Sequence, residues 1–126
     1  MRVTAVLLAA TAIGGGAAAQ EGLRATDRLY GQAELVAMLS DAAVEYYDGS
    51  VSRYRADGAY SYKYTESDRP FLGTYDVVEN GRVCIAFDNG ARRCDFFVSD
   101  GARMVLVIAD GTRFPVRERR PLVDGN

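Results

Sequence analysis

Between Ala43 and Arg117 the chain is built from short apolar or alternating runs, cut apart by [Asp/Asn]-Gly dipeptides. The dipeptides are Asp48-Gly49, Asp57-Gly58, Asn80-Gly81, Asn89-Gly90, Asp100-Gly101 and Asp110-Gly111. Asx-Gly between such runs marks a β-hairpin, because the turn needs φ > 0 and glycine supplies it without a Cβ clash. Eight strands are predicted, at about 43–47, 50–55, 59–65, 71–78, 82–87, 91–98, 102–109 and 112–117. Only the Glu66–Pro70 connection lacks an Asx-Gly turn.

Ahead of the strands the period changes. Leu35, Val36, Met38 and Leu39 recur at helical spacing after Gly31, with Glu34 placed to favour the positive helix end. One short amphipathic helix near 32–40 is expected. It could run on to Tyr47, since Leu35, Leu39, Ala42 and Tyr46 also share a face. The alternation of Val44, Glu45 and Tyr46 ahead of a turn favours a strand from about Ala43.

Short loops force sequential antiparallel pairing. The expected fold is therefore all-β with one short N-terminal helix. It is an up-and-down antiparallel meander of about eight strands, as a small lipocalin-like barrel or a strongly curved sheet.

Turn register assigns the two faces. Five turns read as x-Asx-Gly three-residue loops. In that register Asp88-Asn89-Gly90 sets Cys84 opposite Cys94 at a non-hydrogen-bonded pair, close enough for a disulfide. Both cysteines then share an inner face with Phe96, Val98, Met104, Leu106, Ile108, Phe114 and Val116. Arg93, Asp95, Arg103, Arg113 and Arg117 fall outside. A two-residue turn at Asn80-Gly81 keeps Phe71, Tyr75 and Val77 inside and pairs Glu79 with Arg82. Val83, Ile85 and Phe87 then point outward beside Phe97, Val105 and Val107. That apolar patch needs a cover, either the helix face Leu35/Val36/Met38/Leu39 or a partner protein.

The N-terminus adds a compartment. Arg2, the apolar run Val3–Ile13 and Ala17-Ala18-Ala19 have the layout of a signal peptide, residues 1–19. Cleavage after Ala19 would leave 107 of the 126 residues and take the formal charge from −2 to −3. The apolar run is too short for an integral membrane span. The expected organisation is a lead-in segment at 20–30, a single domain at 31–118 and a C-terminal tail at 119–126. A periplasmic or secreted protein is expected, and two cysteines in such a protein usually pair. A mildly acidic chain with scattered arginines is not patterned to bind nucleic acid.

Candidate chemistry is confined to the tyrosines. Tyr54, Tyr60, Tyr62 and Tyr64 fall on one face across the Asp57-Gly58 hairpin, with Ser50, Ser52 and Tyr46 beside them and Tyr75 near. Hydroxyls on an otherwise apolar wall can orient an amphipathic ligand in a barrel mouth, so Tyr54, Tyr60, Tyr62 and Tyr75 are the candidate ligand-binding residues. The competing reading is that tyrosine favours strands and fills a small barrel. The chain has no histidine, and its Asp-rich turns use their carboxylates to cap their own backbone. No catalytic residue, cofactor or metal site is expected. Arg92-Arg93 beside Asp95, and the tail Arg117-Glu118-Arg119-Arg120, read as solvated outer faces rather than an anion site.

The run Asp57-Gly58…Tyr60…Gly73-x-Tyr75…Cys84…Asn89-Gly90…Arg93-Cys94…Asp110-Gly111 resembles small exported bacterial two-cysteine β-meander proteins, which are lipocalin-like and whose function is uncharacterised. The likeness covers about residues 44–116 and implies no catalytic residues. A looser likeness is to small periplasmic metalloprotease inhibitors, eight-stranded barrels that inhibit through an inserted N-terminal segment. Here the cysteine spacing differs and Tyr75 stands where those have Trp, so only the lead-in Gln20–Arg24 would correspond. The function expected is a non-enzymatic module, a monomer that binds a small amphipathic ligand. The alternative is a protein-interaction module, such as an inhibitor of a secreted hydrolase or an envelope-associated factor.

Overall fold

The glycines of the six Asx-Gly pairs between Ala43 and Arg117 all turn the chain with positive φ, between 69° and 98°. The computed structural model describes residues 21–123, so the expected signal peptide, its cleavage site and the last three residues of the expected tail lie outside the described residues. The elements are β1 Arg28–Leu29, α1 Gln32–Leu39, β2 Ala42–Tyr46, β3 Val51–Tyr54, β4 Ala59–Lys63, β5 Phe71–Glu79, β6 Arg82–Phe87, β7 Arg92–Ser99, β8 Met104–Val107 and β9 Arg113–Pro121. Strands β2 to β9 pair antiparallel in chain order, and β9 returns to pair with β2. The sheet is therefore a closed eight-stranded up-and-down barrel. Closure leaves no long unpaired edge.

The helix forms where its period predicted it. The Gly31 N–H donates to Glu34 Oε1 at 3.2 Å, satisfying one of the free donors at the helix start. Asp41 carries a positive φ of 54°, which ends the helical path and launches β2. Leu35 and Leu39 are fully buried and join Val83, Ile85, Phe97 and Tyr54 in one core. The helix thus plugs one end of the barrel. It is held there by Gln32, whose N–H donates to Asn80 Oδ1 and whose side-chain amide donates to Val77 O.

The register corrects the expected faces of two strands. Cys84 pairs with Cys94 and the disulfide forms, with a Cα–Cα distance of 4.0 Å. Both sulfurs belong to the outer face, however, while Val83, Ile85 and Phe97 are buried inside. Two local irregularities cause this. The Asn80-Gly81 turn is the expected tight one and pairs Glu79 with Arg82, but a bulge between Val77 and Glu79 shifts the register behind it. The Asp100-Gly101 turn closes as an even-numbered loop, Ser99 pairing with Met104. There Asp100 Oδ1 accepts from the N–H groups of both Ala102 and Arg103, each at 2.8 Å. Together the two changes turn over β6 and β7 and leave the flanking strands as expected. Arg93 and Asp95 consequently point into the barrel.

The lead-in is fixed to the outside of the barrel. β1 pairs with the end of β7, and Leu23 packs with Phe96 over Val98, Val105 and Val107. Arg113 holds this segment: its guanidinium donates to Asp27 Oδ2 at 2.7 Å, to Asp27 Oδ1 at 3.0 Å and to Gly22 O at 2.6 Å. The bidentate pair holds the Asp27 carboxyl below its ordinary value. At the other terminus β9 continues to Pro121, into the expected tail, where Arg119 donates to Met38 O.

Candidate functional site

Opposite the helix, the barrel interior opens into a cavity of about 190 Å³. Its walls come from alternate inward positions: Tyr46 on β2, Ser52 on β3, Tyr62 on β4, Arg93 on β7, Leu106 on β8 and Phe114 on β9. Asp48 and Ser50 from the β2–β3 turn, Tyr64 after β4 and Ile108 after β8 complete the rim. A neighbouring hollow shares Tyr62, Tyr64 and Arg93 and adds Phe71 and Phe87. A larger trough of about 480 Å³ crosses the outer face over β3 to β5, along Arg53, Lys63 and Leu72. It is an open furrow on the outside of the barrel, whereas the mouth cavity opens into the interior, and the mouth is the better candidate.

The four tyrosines singled out from sequence divide between two settings. Tyr62 lines the mouth. Tyr54 and Tyr60 are 3 % exposed and belong to the packed core. Tyr54 meets the rings of Tyr60, Tyr75 and Phe97 edge-on, with centroids 5.1, 5.0 and 6.4 Å away. The Tyr75 hydroxyl donates to Arg55 O at 2.7 Å. The barrel is thus filled around Tyr54, Tyr60 and Tyr75 and open around Tyr62.

Polar groups thread through this interior. Ser52 Oγ and the Tyr60 hydroxyl share a buried hydrogen bond of 3.0 Å. Ser50 donates both its N–H and its hydroxyl to Asp48 Oδ1, at 2.9 and 2.6 Å. Arg93 Nε donates to Asp95 Oδ2 at 2.8 Å, and the guanidinium lies over the Phe87 ring. Asp95 is 3 % exposed, so burial pushes its carboxyl above the ordinary value even though Arg93 pulls it down. Burial also raises the tyrosines: Tyr60 to about 12, Tyr46 and Tyr54 well above their usual range, and Tyr62 by less. Every one of these phenols keeps its proton at neutral pH and can donate a hydrogen bond. Among the described residues two buried polar atoms lack a well-formed hydrogen bond: the Tyr46 hydroxyl, which has the Ser52 hydroxyl nearby, and Asp95 Oδ1.

Arg93 and Asp95 were assigned to the outside from sequence together with Ile85 and Val83, and the register turns all four inward. Arg93 lies opposite Ile85 and Asp95 opposite Val83, so all four must share a face. Among the described residues no group of three or more His, Cys, Asp or Glu is arranged to hold a metal ion. No helix among them is long and apolar enough to cross a membrane. The disulfide is compatible with an oxidising extracellular or periplasmic location. Comparison of the chain with models of known protein families, with curated proteins and with solved structures finds no match.

Proposed function

We propose that the protein is a lipocalin-like, non-enzymatic binding module of the periplasm or the secreted fraction, which holds a small amphipathic molecule in the open end of its barrel. The observation that carries this reading is the mouth cavity itself. Aliphatic and aromatic walls from Leu106, Ile108, Phe114 and Tyr62 are joined by the polar residues Asp48, Ser50, Ser52 and Arg93 around a space of about 190 Å³. A mostly apolar pocket with a few convergent polar groups is the usual form of a small-molecule site. Its volume would hold on the order of half a dozen waters, which sets the scale of the ligand.

The alternative, a protein-interaction module, draws less support. Its carriers were an exposed Val83/Ile85/Phe97/Val105 patch or a free N-terminal segment. Those four side chains are at most 2 % exposed, and the segment from Gly22 is tied down by Arg113 and β1. Native mass spectrometry of the protein taken from its own cell envelope tests the preferred reading. A retained small organic mass is the expected result. A bare mass, together with no response of Leu106 or Ile108 methyl resonances to hexan-1-ol, would overturn it.

A further inference from the structure

Two of the six turn dipeptides, Asn80-Gly81 and Asn89-Gly90, carry asparagine rather than aspartate, and the fold treats them differently. The main-chain nitrogen that follows an asparagine can attack the side-chain amide carbon. A glycine in that place makes the approach easy, because it has no Cβ to block it. The new C–N bond closes an imide ring, the Gly N–H gives up its proton, and the side-chain nitrogen leaves as ammonia. Water then opens the imide at either carbonyl and leaves aspartate or isoaspartate. The aspartates of the other four turns are poorer targets, because an ionised carboxylate resists a nucleophile. Asp100 accepts hydrogen bonds from the N–H groups of Arg103 and Ala102, and Asp110 from Thr112, which holds both carboxyls below their ordinary value.

Asn80 is locked in place. Its Oδ1 accepts the Gln32 N–H, at the start of α1, at 3.0 Å. Gly81 is buried, its carbonyl accepts the Phe97 N–H at 2.6 Å, and a Cβ built on it would lie 2.7 Å from Leu29 Cδ2. Swinging the Asn80 amide onto the Gly81 nitrogen therefore means releasing the helix start and unpacking the plugged end of the barrel. Asn89 is open by contrast. Asn89, Gly90 and Ala91 are all exposed, and a Cβ built on Gly90 would meet nothing within 4 Å. Its reacting atoms are held by two hydrogen bonds of the turn itself, Ala91 N–H to Asn89 Oδ1 and Gly90 N–H to Phe87 O, each 2.9 Å. An exposed turn opens at far less cost than a packed core.

From this contrast we infer that Asn89 is a site of spontaneous deamidation and that Asn80, with the same glycine neighbour, is protected by α1 and the core beneath it. The inference is independent of the reading of the mouth as a ligand site. It bears on the mouth nonetheless, because Asn89 lines the neighbouring hollow with Tyr62, Phe87 and Arg93, and its conversion places a new carboxylate in that wall. The isoaspartate product also lengthens the main chain by one carbon, in the turn that sets Cys84 opposite Cys94.

The test keeps the folded protein near pH 8 and near pH 5 in water enriched in heavy oxygen. Positions 80 and 89 are then followed by peptide-mapping mass spectrometry. Solvent water opens the imide, so heavy oxygen marks only the conversion that occurs during the incubation. In the folded protein, position 89 is expected to take up the label at least about tenfold faster than position 80, the worth of one further hydrogen bond broken at Asn80 before any unpacking is counted. Uptake should be faster near pH 8, since the glycine nitrogen must give up its proton. In urea with the disulfide reduced, the two positions should react at similar rates, because only the fold distinguishes them. Gln32→Pro removes the N–H that holds Asn80 and suits the first position of a helix, Gly31 being already extended at φ −61° and ψ 151°. It should speed position 80 and leave position 89 unchanged. Position 80 reacting as fast as position 89 in the folded protein overturns the inference. Label that enters position 89 only after unfolding overturns it equally. A folded Gln32→Pro variant with position 80 unchanged overturns the protection assigned to the helix.

Discussion

At the end closed by α1 the barrel holds Leu35, Leu39, Phe97 and Tyr54, none more than 3 % exposed. At the other end it holds Ser50, Ser52, Tyr62 and Arg93 around an open cavity. The first set is close-packed, and its rings meet edge to face. The second set trades packing for hydroxyls, a guanidinium and unfilled hydrogen-bond positions. One sheet runs through both ends, so the difference comes from α1, which fills one end, and from the side chains that line the other. Stability is concentrated where the helix seals the barrel, and recognition is possible where nothing seals it.

The largest expected effect is at the sealed end. Leu39 is fully buried between α1 and the barrel, and Leu39→Ala should cost about 3–4 kcal/mol through lost transfer and a residual cavity. Urea denaturation measures this, and hexan-1-ol binding at the far end should survive. A loss below about 1 kcal/mol would mean the plug contributes little.

Next is the polar interior. Arg93→Met leaves Asp95 buried without its partner and should cost about 3 kcal/mol at neutral pH, the low end for breaking a buried pair because Arg93 still meets the mouth. The cost depends on pH. Burial raises the Asp95 carboxyl, so the folded form holds that proton more tightly than the unfolded chain does. The associated stability is complete below the unfolded value of about 4 and is lost as pH rises through the folded value. Removing Arg93 takes away the main force lowering that folded value. The deficit should therefore be small near pH 4 and grow toward pH 7. An equal deficit at both would place its cause elsewhere than Asp95.

A third substitution acts on both ends together. The Cys84–Cys94 link closes a sequence separation of 10 across β6 and β7, the strands that carry Phe97 at one end and Arg93 at the other. Cys94→Ser should destabilise by about 2–3 kcal/mol, as expected for so short a closed loop. Non-reducing mass spectrometry should find this single link; two free thiols would contradict the register.

That register shows how far the pattern of residues can be read. Strand order, the helix and the cysteine pairing all follow from turn chemistry and period, which are local, whereas the same pattern fits a closed barrel and a strongly curved sheet alike. The inward faces of β6 and β7 do not, because both faces of these strands are apolar: Val83, Ile85 and Phe97 on one, Cys84, Phe96 and Val98 on the other. Hydrophobicity cannot choose between them, and a preference for charge outside chose wrongly for Arg93 and Asp95. The bulge at Val77–Glu79 shifts the register by one residue and the loop at Asp100 by three, both odd numbers that turn the faces over, and neither breaks the Asx-Gly signature. Of the site, the Tyr and Ser face was legible as one surface. Which tyrosine meets the cavity depends on where the helix fills the barrel, and that is a property of packing.

The smallest expected change in stability tests the contrast between the ends most directly. Tyr64 is 57 % exposed, and its ring lies 4.9 Å from Tyr62 and 6.0 Å from Phe71 at the rim. Its neighbours are themselves open to water, so Tyr64→Ala should alter stability by no more than about 0.5 kcal/mol. The ring nevertheless shields one side of the mouth cavity, so the same substitution should weaken hexan-1-ol binding measurably. Leu39→Ala is expected to do the reverse, lowering stability and sparing binding. Paired urea and titration measurements on the two variants give the comparison its sharpest form. A cost above about 1.5 kcal/mol for Tyr64→Ala would make the rim part of the structural core. The two ends would then differ only in exposure, and the ground for placing binding at the mouth would be gone.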